Sequence, residues 1–116
     1  MSLTKSHVTL DQAASILKLF GDTTRLTMLK VMENGAGCVC EFVAMFNITQ
    51  PVISQQLKRL RELDIVQEEK RGQWVFYSLN KDAPCYPFVQ SILQQLPSQQ
   101  EKLEQLKEQG KRIDCC

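Results

Sequence analysis

Histidine is almost missing from this 116-residue chain: His7, near the start, is the single one. With no clustered carboxylates and no repeated C-x2-C spacing either, no ligand set presents itself for a zinc enzyme or a four-cysteine zinc site. No nucleophile stands beside a base, so the chain is not expected to be an enzyme. Long apolar runs are absent, which leaves no segment able to span a membrane. The opening residues "MSLTKSHVTL" lack the apolar core of a secretory signal. The expected location is therefore cytoplasmic, where thiols are kept reduced. On that reading the five cysteines are packing, reactive or ligand groups, not structural disulfides. Net charge is also scarce, at +1, so a nucleic-acid partner would have to be recognised by local charge.

What is present is helical periodicity, followed by a change to alternation. Thr9 and Gln12 form a capping-box pattern ahead of an apolar stripe of Ala13, Ile16, Leu17 and Phe20, which predicts a helix over 9–20. Gly21 ends it. Asp22 caps a second helix with Leu26, Leu29 and Met32 inward, stopped by Asn34 and Gly35. A short third helix begins near Cys38–Cys40 and carries Phe42, Val43 and Phe46. Asn47 ends it, Thr49 can cap the next, and Pro51 falls in the first turn, where its missing N–H costs nothing. Ile53, Leu57 and Leu60 give that fourth helix a buried face. Gln50, Ser54, Gln55, Lys58 and Arg61 give it a face of hydrogen-bond donors.

Two short helices on a tight turn, the second donor-rich, predict a helix-turn-helix. "IVQEEKRGQWVFYSL" then alternates as two strands about a Lys70–Arg71–Gly72 tip, with Trp74 and Phe76 facing one way and Val75, Tyr77 and Leu79 the other. A basic hairpin directly after such a helix is a wing. The expected fold is mainly α (α+β): a winged helix-turn-helix with a two-stranded wing and extra terminal helices for dimerisation. Residues 1–96 would form the DNA-binding and dimerisation domain, with Phe88, Val89, Ile92, Leu93 and Leu96 as the apolar face of its last helix. Residues 97–116 would form a helical extension, opened by a second capping box at Ser98 and Glu101, carrying Leu103 and Leu106 and ending in a cysteine pair. A homodimer would read two half-sites of double-stranded DNA. Gln50, Ser54 and Gln55, with Thr49 beside them, would face bases. Lys58, Arg61, Lys70 and Arg71 would hold phosphate.

The stretch "NGAGCVCEF" places two thiols one residue apart behind a glycine-broken loop. In a regular helix residues i and i+2 diverge, whereas in an extended segment they share a face. An extended approach through Gly35 and Gly37 would let Cys38 and Cys40 grip one soft ion. A helix N-terminus would favour the thiolate that does so. Trivalent arsenic and antimony suit such donors, as do cadmium and lead. Read alone, a free cysteine is commonly a small buried hydrophobe, and that reading fits Cys85, set between two prolines. Cys115 and Cys116 are incidental or further donors.

Taken together these segments resemble the ArsR/SmtB metalloregulators over about residues 13–80. "KLFGDTTRLTMLKVM" is similar to their second helix, "CVCEF" to their third-helix metal box, "ITQPVISQQLKRLRELDIV" to their recognition helix and "EEKRGQWVFYSLN" to their wing. The resemblance implies a homodimeric repressor of a resistance operon, with no obligatory cofactor, released from its operator by an inducer. Cys38 and Cys40 match the first two cysteines of the arsenic-responsive box, so the implied inducer is As(III) or Sb(III). A third cysteine known in that box is replaced here by Val43; a terminal cysteine pair like Cys115 and Cys116 also occurs in similar arsenic regulators. The N-terminal cysteines of the cadmium and lead branch are lacking, and residues 85–96 hold no histidine for the zinc branch's site. Two rival readings are a cadmium, lead or thiol-redox sensor of the same fold, and a winged helix that binds proteins instead of DNA.

Overall fold

A computed structural model describes residues 8–99 and 101. Thr9 opens α1 (Leu10–Phe20) with a reciprocal capping box. Its hydroxyl accepts the Gln12 N–H at 3.1 Å, and the Gln12 side chain accepts the Thr9 N–H at 2.9 Å. Two otherwise orphaned donors are satisfied. Ile16 and Phe20 point into the core, but Leu17, expected beside them, is 51% exposed. Consecutive helical positions diverge by about 100°, and the core takes only the Ile16–Phe20 line. Asp22 caps α2 (Thr23–Met32) by accepting the Arg25 N–H at 3.0 Å. The second half of α2 is buried all round, from Thr27 to Met32, and not along one face only.

Next comes an element too short for periodicity to announce. Residues Gly37–Cys38 form β1, which joins the wing strands β2 (Val66–Arg71) and β3 (Trp74–Leu79) in an antiparallel sheet of order β1-β3-β2. Gly37 pairs with Tyr77 and Cys38 with Phe76. The sheet thus has three strands where two were expected. Gly37 is required by a close approach: a Cβ there would sit 2.5 Å from the Phe42 ring. Gly37→Ala should therefore cost about 1–3 kcal/mol, the usual penalty of overpacking, read as a lower midpoint in urea unfolding.

From β1 the chain turns directly into α3 (Val39–Phe46), whose Phe42 is completely buried. Asn47, at φ 55°, ends α3 in the left-handed conformation, its N–H donating to the Val43 carbonyl at 2.9 Å. Asparagine tolerates that conformation better than most residues. Three residues later α4 (Gln50–Glu62) begins, with Pro51 in its first turn and Ile53, Leu57 and Leu60 fully buried. Thr49 stands at the cap position, but its side chain makes no capping hydrogen bond.

A Schellman closure ends α4. The Ile65 N–H donates to the Leu60 carbonyl at 3.0 Å and the Asp64 N–H to the Arg61 carbonyl at 2.9 Å, with Asp64 at φ 62°. Ile65 and Leu60 are both buried in the same core cluster, as the apolar residues flanking such a closure commonly are, and the turn leads the chain straight into β2. The hairpin loop is Gly72–Gln73; Lys70 and Arg71 belong to β2 and pair with Val75 and Trp74. Last comes α5 (Tyr86–Gln94), its Val89 and Leu93 buried and Phe88 and Ile92 half-buried. Buried Lys30 holds α5 in place. Its Nζ donates to the Leu93 carbonyl at 2.8 Å and pairs with Glu33, so the charge is compensated where it is desolvated. The expected helix from Ser98 onward, with Leu103 and Leu106, lies almost entirely outside the described residues.

Candidate thiol site and nucleic-acid interface

The two sulfurs of the C-x-C pair meet: Cys38 Sγ and Cys40 Sγ lie 3.1 Å apart. The arrangement that achieves this differs from a shared extended face. Cys38 is the last residue of β1 and the N-cap of α3, at φ −85° and ψ 146°, while Cys40 is already in the first helical turn. A capping side chain folds over the turn that follows it. The Cys38 thiol consequently hangs above the first turn of α3, where Cys40 stands. The rule that i and i+2 diverge applies within a helix and fails across its cap. Glu41, buried at 3% exposure, completes the corner by accepting the Cys38 N–H at 2.8 Å. Sequence reading missed this residue, although a carboxylate three positions after a cap ahead of an apolar run is a legible signal.

Cys38 is buried and Cys40 half-buried, so the pair is reached from one side. Cys85 is elsewhere, at the N-cap of α5, with its sulfur 3.8 Å from the Leu63 carbonyl and 3.9 Å from that of Asp64. Burial pushes its thiol pKa up; a hydrogen bond with the backbone opposes this and the nearby Asp64 charge adds to it. It is a packing group and a poor metal donor at neutral pH. Cys115 and Cys116 lie outside the described residues. Among the described residues no three histidine, cysteine or acidic side chains cluster as a metal site.

The α4 side chains expected at DNA lie on the outer surface: Thr49, Gln50, Gln55, Lys58 and Arg61 are exposed and Ser54 is half-buried. Lys70 and Arg71 are exposed on β2. Two of the four cations are engaged within the chain. Arg61 Nη1 donates to Glu68 Oε1 at 2.9 Å. Arg71 donates twice to Glu69, each bond 3.2 Å, and its guanidinium lies 4.7 Å from the centre of the Phe76 ring. The hydrogen bond and then the charge of Arg71 hold the Glu69 carboxyl below its usual range. Gln50, Ser54, Lys58 and Arg61 of α4 share an open groove of about 430 Å³ with Gln73 and Trp74 of the wing and with Cys38.

On the wall of that groove Tyr77 donates its hydroxyl to Glu68 Oε2 at 3.1 Å. Burial, then the hydrogen bond to Glu68, raises the phenol above its ordinary range. The folded state thus holds this proton more tightly than the unfolded chain. The corresponding stability is complete below a pH of about 10 and is lost as pH rises through the higher folded-state value. Ultraviolet titration should show a phenol transition above pH 10 that Tyr77→Phe removes.

A model for the family described as "Bacterial regulatory protein, arsR family" matches residues 22–68. An HTH-type transcriptional regulator of Methanocaldococcus jannaschii is 44% identical over 73 residues, 62% of this chain and 82% of its own. The arsenical resistance operon repressor of Escherichia coli is 32% identical over 101 residues, 86% of each chain. Among solved structures, reduced HlyU from Vibrio cholerae aligns with a TM-score of 0.64 at 27% identity, over 74% of this chain and 85% of that one. The transcriptional repressor BigR from Xylella fastidiosa aligns with a TM-score of 0.59 at 28% identity, over 77% and 90%.

Proposed function

This chain belongs to the ArsR family of bacterial transcriptional regulators, and from that premise we propose that it represses a metalloid-resistance operon, binding trivalent arsenic or antimony through Cys38 and Cys40. Its fold is a winged helix-turn-helix, and its relatives are regulators of transcription, not enzymes. The observation that carries the inducer reading is the 3.1 Å separation of the two sulfurs at the β1–α3 corner. Bonds of about 2.3 Å from thiolate to a soft ion put both sulfurs within reach of one ion. The name of the Escherichia coli relative, an arsenical resistance operon repressor, supports the choice of ion. A third sulfur would come from Cys115 or Cys116, within the 97–116 extension.

In this reading the inducer-free protein is a homodimer, with the half-buried apolar residues Phe88 and Ile92 of α5 and exposed Leu17 of α1 at the subunit contact. Gln50, Ser54 and Gln55, flanked by Thr49, face the major groove, while Lys58, Arg61, Lys70 and Arg71 approach phosphates. Ligation repositions the β1–α3 corner. That corner is joined to the wing by the Gly37–Tyr77 and Cys38–Phe76 pairings and to α4 through the Asn47 turn. An inducer acts only through differential affinity for two states. A coupling of about 1–3 kcal/mol would loosen the operator roughly 5–150-fold.

The same sulfur separation also favours a second reading, a thiol-redox sensor. Fluorescence anisotropy of an operator duplex selected from random sequences separates the readings when the complex is titrated with arsenite, cadmium and hydrogen peroxide. Release by arsenite near stoichiometry is expected. Release by peroxide alone, or by cadmium alone, overturns the arsenic reading. Recovery of no duplex at all would favour the protein-interaction module.

Glu69 provides a further check on the wing. It competes with phosphate for Arg71, so Glu69→Gln should tighten operator binding severalfold. Freeing one arginine should steepen the dependence of log K on log salt by about 1.

A further inference from the structure

We propose that Glu68, bridging Arg61 of α4 and Tyr77 of β3, is the positioning residue that carries occupancy of the thiol pair to the base-reading helix. This inference rests on the function proposed above and names its internal linkage. The carboxylate is shared between two elements: Oε1 accepts from Arg61 at 2.9 Å and Oε2 from Tyr77 at 3.1 Å. Tyr77 is the register partner of Gly37, the residue immediately before Cys38. The residue is only 6% exposed, so it follows its own strand and has little freedom to compensate. Cys38, Arg61, Glu68 and Tyr77 all line the same groove, together with Trp74.

A shift of the Gly37–Cys38 strand is therefore passed by backbone pairing to Tyr77 and by its hydroxyl to Glu68. Through the second oxygen of the carboxylate it reaches Arg61, on the last turn of α4. The pair is partly exposed, with side-chain exposures of 45% and 31%, so it contributes little to global stability. A bridge that is weak for folding is suited to switching, because it has two discrete states, closed and open, whose balance a small displacement can tip. In the closed state α4 is tied to the wing at one angle. With the Tyr77 hydroxyl withdrawn, Glu68 and Arg61 no longer couple that helix to the strand beside the thiols.

The test uses Tyr77→Phe, which keeps the ring and removes the hydroxyl, and Glu68→Gln, which keeps the shape and removes the charge. Operator affinity is measured with and without arsenite, and arsenite affinity is measured on the DNA-free protein. Emission of Trp74, the single tryptophan, reports the groove. In both variants arsenite should bind the DNA-free protein as in the wild type. The factor by which arsenite loosens the operator should shrink about 2–10-fold, the scale of one lost hydrogen bond. The arsenite-induced change in Trp74 emission should shrink with it. A merely structural role would lower stability and leave that factor intact, and an unchanged factor in both variants overturns the bridge alone. If the wild-type operator complex is insensitive to arsenite, the function proposed above fails and the bridge fails with it. Should Tyr77→Phe not fold, Glu68→Gln, at an exposed position, decides the matter by the same measurement.

Discussion

Replacing Cys38 and Cys40 together with serine is expected to leave a folded, operator-binding protein that arsenite no longer releases. The reason it folds lies in the position of Cys38. It is the N-cap of α3, where serine is among the preferred residues because its oxygen accepts a first-turn N–H better than sulfur does. Serine is also smaller, and Glu41 can still accept the N–H of residue 38. Cys40 is half-buried in the first turn, where a hydroxyl can find a backbone acceptor or water. Fold and DNA surface should thus survive, whereas both soft donors are gone and a hydroxyl does not replace a thiolate for a thiophilic ion. The whole coupling is lost: the operator's dissociation constant, weakened about 5–150-fold by arsenite in the wild type, should not move. Continued release in the double variant would remove the thiol pair from the mechanism.

Phe42→Ala should produce the largest loss of stability among substitutions at this corner. The side chain is completely buried, and truncating a buried phenylalanine costs about 3–5 kcal/mol. A domain of this size holds about 5–15 kcal/mol in all. The melting temperature should fall by at least about 12 °C. Phe42 also explains Gly37, because the ring is what a Cβ on Gly37 would strike. The two substitutions should therefore not add. In the Phe42→Ala background the Gly37→Ala penalty should largely disappear, leaving an interaction energy of about 1–3 kcal/mol in a double-mutant cycle. Additive costs would mean that the glycine answers to something other than the ring.

Much of this fold is written locally. Thr9 with Gln12, Asp22, Asn47 and Pro51 mark helix boundaries that the structure reproduces, because caps and breakers act within a few residues. Ile53, Leu57 and Leu60 identify the inner face of α4 because helical spacing alone sets it. What stayed hidden depends on partners distant in sequence. The β1 strand is two residues long and exists only because Tyr77 and Phe76 lie beside it. Leu17 fits the α1 stripe yet is left outside, since periodicity says which residues share a face and not how much of that face the core covers. The engagement of Arg61 with Glu68, seven positions on, depends on the turn at Asp64 folding β2 back along α4. For the thiols, the sequence supplied the pair and the extended approach. The cap geometry that brings the sulfurs together emerges only when strand and helix meet at Cys38.

Thermodynamic reciprocity offers the most direct test of the claim that thiol occupancy and operator binding oppose each other. Calorimetric titration of arsenite into the free protein and into the protein saturated with operator duplex measures both sides of the linkage. Saturation with operator should weaken arsenite binding by the same factor, about 5–150-fold, by which arsenite weakens operator binding. Equal arsenite affinity with and without DNA would contradict it.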